Sequence, residues 1–568
     1  MSDQFPDAEI IKRESDYLRG TIAEGLDDPV TGAISDDDTK LTKFHGAYLQ
    51  DDRDLRDERR RQKLEPLYMF MVRLRLPGGV LTPQQWLGLD AIADECANHT
   101  LRLTTRQTFQ FHGVFKHRMR TFMQRVNALG LDTKGACGDD NRNVIANVNP
   151  HLSALHERIH RLSTEISERL MWRSGAYAEI WLGEKRVHHL GGDAEEEPFY
   201  RHYYLPRKFK IALAIPPEND CDVLANDIGL IAIVEDGELA GFNVAVGGGM
   251  GMTYGNEATY PRLAEMAGFV PAERIADACE AIAAVQRDHG CRTDRSHARF
   301  KYTLDDHGLE WFLERFAEYH GAPMEPARAY RFTHNGDRFG WVEGENGNRH
   351  LTLMIQSGRI ADFDGYPLRT ALREIAEVHG GEFRVTCNQN LMIANVTPEQ
   401  QDRIQALVRK HGLDDGSRST PLGRNAMSCV AFPTCGLAMA ESERYLPGLI
   451  DELDALMARH GLTDTPINVR VTGCPNGCAR PFLAEIGLTG KAIGKYNLYL
   501  GGDERGQRMN RLYRENIDTT TILETLDPML ERFARERQAD EGFGDFLVRA
   551  DIIDAERGPK VFHTAYSA

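Results

Sequence analysis

The sequence predicts an α+β fold that is internally duplicated and has a pseudo-twofold axis. Two pairs of segments recur in the same order along the 568 residues. Residues 101–113 and 383–395 share a seven-residue pattern at their start. The first position is aromatic or Leu, the second is Arg, the third is apolar, the fourth is Thr, the fifth is variable, the sixth is Arg or Asn, and the seventh is Gln. Residues 229–248 and 487–502 each read as a strand hairpin that ends on Gly-Gly. A ligand site between the two halves is the natural location in such a chain.

The elements of the first repeat follow from local patterns. Residues 68–76 are typical of a strand, which the following Pro-Gly-Gly ends. Thr82 is a suitable N-cap and is followed by proline at the first helical position, so a helix is predicted over 83–98. A second strand is predicted over 101–112, and a helix over 117–129.

The second repeat is predicted to contain the same elements. Residues 350–359 resemble the first strand and its turn, a helix is predicted over 367–379, and 383–395 is again a strand. Between the repeats, Lys208 and Lys210 precede an apolar strand, and a period of two places both on the same face. Most such lysines face solvent, but the apolar strand that follows favours a pocket.

Composition limits the class of protein. The chain has 85 acidic and 68 basic residues, a formal net charge of -17, which disfavours general nucleic-acid binding. The N-terminus lacks the charged and apolar regions of a secretory signal, and no apolar run is long enough to span a bilayer. We therefore expect a cytoplasmic protein.

Four of the ten cysteines are clustered in two pairs. Cys429 and Cys435 have five residues between them, and Cys474 and Cys478 have three. A structural zinc site normally uses tighter pairs, and two disulfides are unusual in a reducing compartment. A four-iron cluster agrees best with this spacing, although the zinc interpretation remains open.

Two groups of polar residues in the first half are candidates for anion binding. The first group could hold a small, multiply charged anion if its members converge, and it consists of Arg73, Arg142, Lys208 and Lys210. The second group occupies alternating positions of the predicted strand 101–112 and could hold a polycarboxylate; it consists of Arg102, Arg106, Gln110 and His112. Taken singly, each of these residues is more often a surface residue.

These motifs together resemble the sirohaem and four-iron sulfite and nitrite reductases over nearly the whole chain. Residues 17–24, 43–46, 50–54 and 541–546 are most similar to the haemoprotein (beta) subunits of assimilatory NADPH-sulfite reductases. The resemblance implies two ferredoxin-like repeats and two mixed-sheet domains. The implied divisions are an N-terminal arm (1–62), a first ferredoxin-like repeat (63–148), a first sirohaem and substrate domain (149–335), a second ferredoxin-like repeat (336–422) and a second, [4Fe-4S] and sirohaem domain (423–568).

The resemblance also implies the reaction and the site. The reaction is the six-electron reduction of sulfite to sulfide at one sirohaem coupled to one [4Fe-4S] cluster. The four cysteines would bind the cluster, and Cys478 would also bridge to the sirohaem iron. The four cations would hold sulfite, with Lys208 and Lys210 supplying protons through ordered water. The residues that look like sirohaem-binding positions are Arg102, Arg106, Gln110, His112, Lys301 and Asn476, with the turn Gly247–Gly249 also near the macrocycle.

The electron donor is expected to be another protein. Residues 247–251 are rich in glycine but end a hairpin, and no dinucleotide fingerprint opens a βαβ unit. The resemblance implies a flavoprotein (alpha) subunit that carries FAD and FMN and oxidises NADPH. Residues 1–62 would then be a docking arm, although composition alone favours a solvated surface segment. The alternatives are a ferredoxin-dependent sulfite or nitrite reductase and a non-catalytic iron–sulfur or zinc protein; Lys210, where nitrite reductases of this family tend to have Asn, favours sulfite.

Overall fold

The structure is a computed structural model that describes residues 5–148, 153–177, 179–182, 185–189, 197–554, 558 and 561–566. The residues outside this description are 1–4, 149–152, 178, 183–184, 190–196, 555–557, 559–560 and 567–568. Parts of the predicted arm (1–62), of the predicted first sirohaem domain (149–335) and of the predicted last domain (423–568) therefore lie outside the described residues. No helix in the described part of the chain is long and apolar enough to cross a membrane.

The N-terminal segment is folded against the rest of the chain. Its elements are α1 (Asp7–Glu14), α2 (Ile22–Asp27), α3 (Asp36–Leu41), β1 (Ala47–Asp51) and α4 (Arg56–Arg61). Leu18, Leu41 and Phe44 are buried in the core of the first half. Helices α2 and α4 contain no buried residue, and α4 is a run of charged side chains. The segment is thus part of the globular structure, with α4 on its surface.

The first ferredoxin-like repeat follows the predicted order. It contains β2 (Tyr68–Arg73), β3 (Val80–Leu81), α5 (Pro83–Cys96), β4 (Leu101–Leu103), β5 (Phe109–Val114) and α6 (Met119–Ala128). The Thr82 side chain accepts a hydrogen bond from the Gln85 N–H, and the Gln85 side chain accepts one from the Thr82 N–H. This capping box begins α5 at the predicted position.

The first mixed sheet lies in the middle of the chain. The sheet contains β6 (Ile145–Ala146), β9 (Ile211–Ala214), β10 (Ile228–Glu235), β11 (Glu238–Val246) and β12 (Glu265–Pro271). The helices of this region are α7 (Ala154–Arg169), α8 (Ile275–His289), α9 (Phe300–His307) and α10 (Leu309–His320). A separate two-stranded sheet is formed by β7 (Glu179–Leu182) and β8 (Lys185–His189). The strand order is β12-β11-β10-β9-β6. Strands β6, β9 and β10 are parallel, whereas β10 and β11 form the predicted antiparallel hairpin.

The second repeat and the second mixed sheet follow. The second repeat comprises β13 (Gly340–Glu343), β14 (Arg349–Leu353), β15 (Arg359–Ile360), β16 (Asp362–Phe363), β17 (Tyr366–Pro367), α11 (Leu368–Val378), β18 (Glu382–Val385), β19 (Leu391–Val396) and α12 (Pro398–His411). The second mixed sheet and its helices comprise α13 (Pro421–Arg424), β20 (Ala426–Ser428), α14 (Leu446–Arg459), β21 (Val469–Thr472), β22 (Ile486–Ala492), β23 (Lys495–Leu500), β24 (Arg511–Ile517), α15 (Thr519–Glu536) and α16 (Phe543–Arg549). The sheet order β20-β21-β22-β23-β24 repeats the first mixed sheet, with β20, β21 and β22 parallel.

The prediction of a single strand over 101–112 was wrong. The segment forms two strands, β4 and β5, joined by a turn in which the Thr104 N–H bonds the Thr108 carbonyl and Gln107 has φ +50°. The second copy is split in the same way, since Gln389 has φ +70° and Thr386 bonds Asn390. A left-handed residue cannot continue a strand, so the polar residues in the middle of the segment lie in a turn.

The two ferredoxin-like sheets exchange short strands. The sheet orders are β1-β2-β5-β4-β15 and β13-β14-β19-β18-β3, so each sheet ends on a strand from the other repeat. One hydrophobic core spans both repeats, and within it Trp86 stacks on Phe383 with ring centroids 4.7 Å apart. Such a pair stabilises by about 0.5–1.5 kcal/mol beyond the area it buries. The duplicated, pseudo-twofold architecture is confirmed.

Candidate active site between the two mixed sheets

The two cysteine pairs begin at the ends of neighbouring parallel strands. Cys429 directly follows β20, and Cys474 comes two residues after β21. Parallel strands have their carboxyl ends at one sheet edge, which is where ligands bind in such sheets. The Cys429 N–H donates to the Val471 carbonyl over 3.3 Å, and the Gly473 N–H donates to Cys429 Sγ over 3.3 Å. The fold therefore brings the two pairs together.

The other two cysteines are presented by short loops. The loop after Cys435 is tied to the second pair because the Met439 N–H donates to the Gly473 carbonyl over 2.7 Å. Cys474 and Cys478 flank a Pro-Asn-Gly turn, whose glycine, Gly477, has φ +64°. Cys474 is buried, whereas Cys478 is exposed.

The electrostatics of the cysteine cluster disfavour free thiolates. Burial, together with the nearby Cys478, raises the pKa of Cys429 and raises that of Cys474 to about 12. Four thiolates at this edge therefore need a compensating cation, which a metal cluster supplies. The described residues contain no group of three or more His, Cys, Asp or Glu side chains placed for one metal ion.

A cleft opens beside the cysteines, lined by residues of both halves. Of the four clustered cysteines, Cys478 is the one that lines the cleft. The polar side chains that line it with Cys478 include Arg106, Lys208, Lys210, Arg299, Asn476 and Arg480. Five of these six are cationic groups, which makes the cleft suited to an anionic ligand.

Lys208 and Lys210 both face this cleft, as the sequence predicts. Within the described residues, neither ammonium group has a hydrogen-bond or ion-pair partner. Burial, together with the charges of Arg207 and Arg299, lowers the pKa of Lys208 to about 7. Burial, with the charge of Lys208 next, lowers the pKa of Lys210 well below its ordinary value. Both lysines would become fully charged again on binding an anion.

Arg73 and Arg142 lie in a layer next to the cleft and do not line it. The Arg142 guanidinium donates to the Gly138 carbonyl over 2.8 and 3.1 Å, and its charge contributes to the lowered pKa of Lys208. Arg73 Nη1 donates to Cys137 Sγ over 3.1 Å. Both cations also act on Tyr48, whose pKa burial raises and the two arginines lower. The structure thus groups the four predicted cations without bringing all of them to one surface.

Four predicted cofactor-binding residues are placed behind the cleft surface. Arg102 Nε donates to Glu443 over 2.9 Å and Arg102 Nη2 to the Ser428 carbonyl over 3.0 Å. Lys301 Nζ donates to the carbonyls of Gly249, Gly251 and Tyr260. Both cations thus bond to acceptors within the protein, and their contact with ligand carboxylates stays a prediction. The other two residues absent from the cleft lining are Gln110, beside Arg73, and His112, near Arg102.

Arg106 and Asn476 do line the cleft. Arg106 lies in the turn that splits the predicted strand, where it donates to Asn226 Oδ1 over 2.6 Å. Burial lowers its pKa to about 9. Asn476 belongs to the Pro-Asn-Gly turn. This turn contacts the glycine-rich loop of the first half, since the Met252 N–H donates to the Pro475 carbonyl over 3.0 Å. A Cβ atom on Gly251 would lie 3.2 Å from the Asn476 carbonyl oxygen, so the close approach of the two loops favours glycine there.

Sequence reasoning missed two cleft cations and the acids that hold them. Arg299 pairs with Asp227 over 3.0 Å, and Asp227 also accepts the Lys210 N–H over 2.9 Å. Arg480 pairs with Asp222, a fully buried acid in the other half. Asp222 and Arg480 occupy equivalent positions. Each has a left-handed backbone and directly precedes a 3-10 helix, and each lies six residues before the first residue of a hairpin strand, β10 or β22. Extending the alignment of the two hairpins towards the N-terminus would have paired them.

Comparisons with known proteins agree with this architecture. A family model described as nitrite/sulfite reductase ferredoxin-like half domain matches residues 61–129 and 342–411. A second, described as nitrite and sulphite reductase 4Fe-4S domain, matches residues 166–324. That range covers much of the first mixed sheet, whereas the four clustered cysteines follow strands of the second. The model therefore matches the duplicate of the sheet that carries the cysteines.

Full-length relatives were also found. The sulfite reductase [NADPH] hemoprotein beta-component of Staphylococcus haemolyticus is 56% identical over 98% of this chain and 97% of its own length. The protein of the same name from Myxococcus xanthus is 57% identical over 96% of this chain and 97% of its own length. Among solved structures, the Mycobacterium tuberculosis NirA protein has a TM-score of 0.76 at 25% identity, and the match covers 95% of this chain and 96% of that one.

Proposed function

Because the chain belongs to the nitrite and sulfite reductase family, we propose that it is a catalytic haemoprotein subunit that reduces sulfite to sulfide with six electrons. The observation that carries this proposal is the position of Cys478. It belongs to a four-cysteine cluster at the edge of the second mixed sheet, and it faces a cleft with two unpartnered lysine ammonium groups. The cleft therefore joins a soft metal site to an anion site.

The residues present suit a [4Fe-4S] cluster and a sirohaem. Cys429, Cys435, Cys474 and Cys478 would hold the cluster, whose all-sulfur donor set is suited to iron. Sirohaem is a polycarboxylate, and the cleft supplies the cations Arg106, Arg299 and Arg480 to bind it. Since Cys478 lines the cleft, it would be the cluster ligand on the side of the sirohaem. When bound, the coupled groups supply the electrons and the iron site for sulfite.

The protein's own contribution is charge and protons. Lys208 and Lys210 would hold the sulfite oxygens by charge, with Arg142 and Arg73 adding to the positive potential behind them. Reduction of hydrogen sulfite to hydrosulfide consumes six protons and releases three waters. A lysine whose pKa is about 7, as for Lys208, can donate a proton near neutral pH and be recharged from solvent. The same two lysines thus bind the substrate and supply protons as the S–O bonds break.

The proposed electron donor is a separate flavoprotein (alpha) subunit that carries FAD and FMN and oxidises NADPH. The glycine-rich residues 247–251 follow β11 and lead into irregular chain, so they do not open a βαβ unit for a dinucleotide. The exposed helix α4, within the predicted docking arm 1–62, is the candidate contact for that subunit. We place the reaction in the cytoplasm, as part of sulfate assimilation into cysteine.

A second candidate, from the same family, is a ferredoxin-dependent sulfite or nitrite reductase. Lys210 lines the cleft. Nitrite reductases of this family tend to have Asn at the same sequence position, so the lysine favours sulfite as the substrate. Turnover with NADPH and a flavoprotein, compared with turnover with reduced ferredoxin, distinguishes the two donors.

An absorption spectrum with metal analysis tests the proposed function. The purified chain should show a Soret band and a red band of sirohaem, and it should contain iron and acid-labile sulfide. It should also oxidise a reduced artificial donor only when sulfite is added. A colourless protein that contains zinc would refute the proposal.

A further inference from the structure

An arginine of the N-terminal segment holds the loop that carries Cys435. Arg53 Nη1 donates to the carbonyl of Cys435, which lies 382 residues later in the chain, over 2.9 Å, and to that of Ala438 over 2.7 Å. The Arg53 N–H donates to the Pro433 carbonyl over 3.0 Å. Its guanidinium also lies over the ring of Phe432, 4.3 Å from the ring centroid. One side chain and its backbone therefore contact this loop at four points.

The contacts place a positive charge against a cluster ligand. The two carbonyl oxygens that Arg53 binds carry partial negative charge, which the guanidinium offsets. A cation near an iron–sulfur cluster stabilises the reduced form, because reduction adds negative charge. The contact can therefore affect both the shape of the site and its reduction potential.

We propose that Arg53 is a positioning residue for the [4Fe-4S] cluster, which fixes the 432–438 loop and shifts the reduction potential of the cluster in the positive direction. The inference rests on the proposed function, since it requires that the four cysteines hold a cluster. It gives a residue of the predicted docking arm, 1–62, a role within the redox centre of its own chain.

If the role of Arg53 were purely structural, it would only attach the N-terminal segment to the second half of the chain. The neighbouring pair of Asp54 and Arg444 makes a similar tie, with Nη1 and Oδ2 2.6 Å apart, but on the surface. Arg444 bonds Asp54 and Glu441 and makes no contact with the 432–438 loop. The variant R444Q therefore removes a tie between the same two segments and leaves the cluster loop untouched, which makes it a matched control.

The experiment compares R53Q, R53K and R444Q in the full chain with its cofactors loaded. Iron and acid-labile sulfide are measured first, followed by a potentiometric titration of the cluster and thermal unfolding. We expect a more negative cluster potential in R53Q, a potential in R53K between those of R53Q and the wild type, and an unchanged potential in R444Q. A wild-type potential in fully loaded R53Q would overturn the inference, as would an equal shift in R444Q.

Loss of the cluster is also informative. If R53Q does not retain iron while R53K and R444Q do, the result supports a positioning role that depends on the positive charge. If R444Q loses iron to the same extent as R53Q, the N-terminal segment acts only as a fastener and the inference fails. Absence of iron and sulfide from the wild-type protein would instead refute the proposed function, so the two failures are distinguishable.

Discussion

Replacing Asp222 by alanine should reduce the free energy of unfolding by about 3–5 kcal/mol. Asp222 lies at the junction of the two halves and is fully buried. Its Oδ2 atom accepts from Arg470 Nη1 over 2.6 Å and from Arg480 Nε, and its Oδ1 atom accepts from Asn335 over 2.7 Å. The Asp222→Ala variant would leave both guanidinium groups without their anion.

The magnitude follows from burial. The side chains of Arg470 and Arg480 are 4% and 9% exposed, so solvent cannot replace the lost carboxylate. Truncating one partner of a buried pair costs about 3–5 kcal/mol because the remaining charge stays buried and uncompensated. An exposed pair on a helix, such as Arg532 with Glu536, contributes only about 0.3–0.5 kcal/mol.

Urea unfolding of the full chain, followed by circular dichroism, measures the effect. The Glu536→Ala variant is the control and should lie within about 0.5 kcal/mol of the wild type. A loss below about 1 kcal/mol in Asp222→Ala would refute the argument that this pair stabilises the junction, because solvent or another anion would then be compensating the arginines.

Three further predictions concern the site and the second sheet. The Lys210→Asn variant should lower sulfite turnover by about 100-fold and nitrite turnover much less, since one charged donor is lost from the anion site; equal losses would remove the argument for sulfite. The Cys478→Ser variant should abolish sulfite reduction and change the coupled spectrum, and full activity would exclude the bridging role. Burial raises the pKa of Glu485 from 4.5 to about 7, so its contribution to stability is present below pH 4.5 and is lost as the pH rises to about 7. Relative to Glu485→Gln, the wild type should therefore become less stable between pH 4.5 and 7 in thermal melts, and parallel pH profiles would contradict this.

Local patterns predicted the elements that depend on neighbouring residues. The hairpins β10–β11 and β22–β23 were confirmed because alternation and a Gly-Gly end are local signals. The N-cap at Thr82 was confirmed for the same reason. Periodicity could not show that 101–112 is split, since one residue with positive φ, Gln107, reverses the chain without breaking the apolar pattern.

Long-range features carried no local signal. The exchanged strands β3 and β15 have two residues each, and their partners lie in the other repeat. Arg53 and Arg480 are ordinary surface candidates in the sequence, and only the fold brings them to Cys435 and Asp222. Glu443, which pairs with Arg102, also lies in a distant part of the chain. Residues whose partners are distant in sequence therefore need the structure.

The most direct test of the account is the number of electrons consumed per sulfide by the purified chain. Reduced methyl viologen would serve as the donor, with sulfite as substrate and NADPH alone as a control. We predict six electrons per sulfide formed, no release of partly reduced sulfur species, and no NADPH oxidation until a flavoprotein is added. Failure to form sulfide, or oxidation of NADPH by the chain alone, would contradict the account.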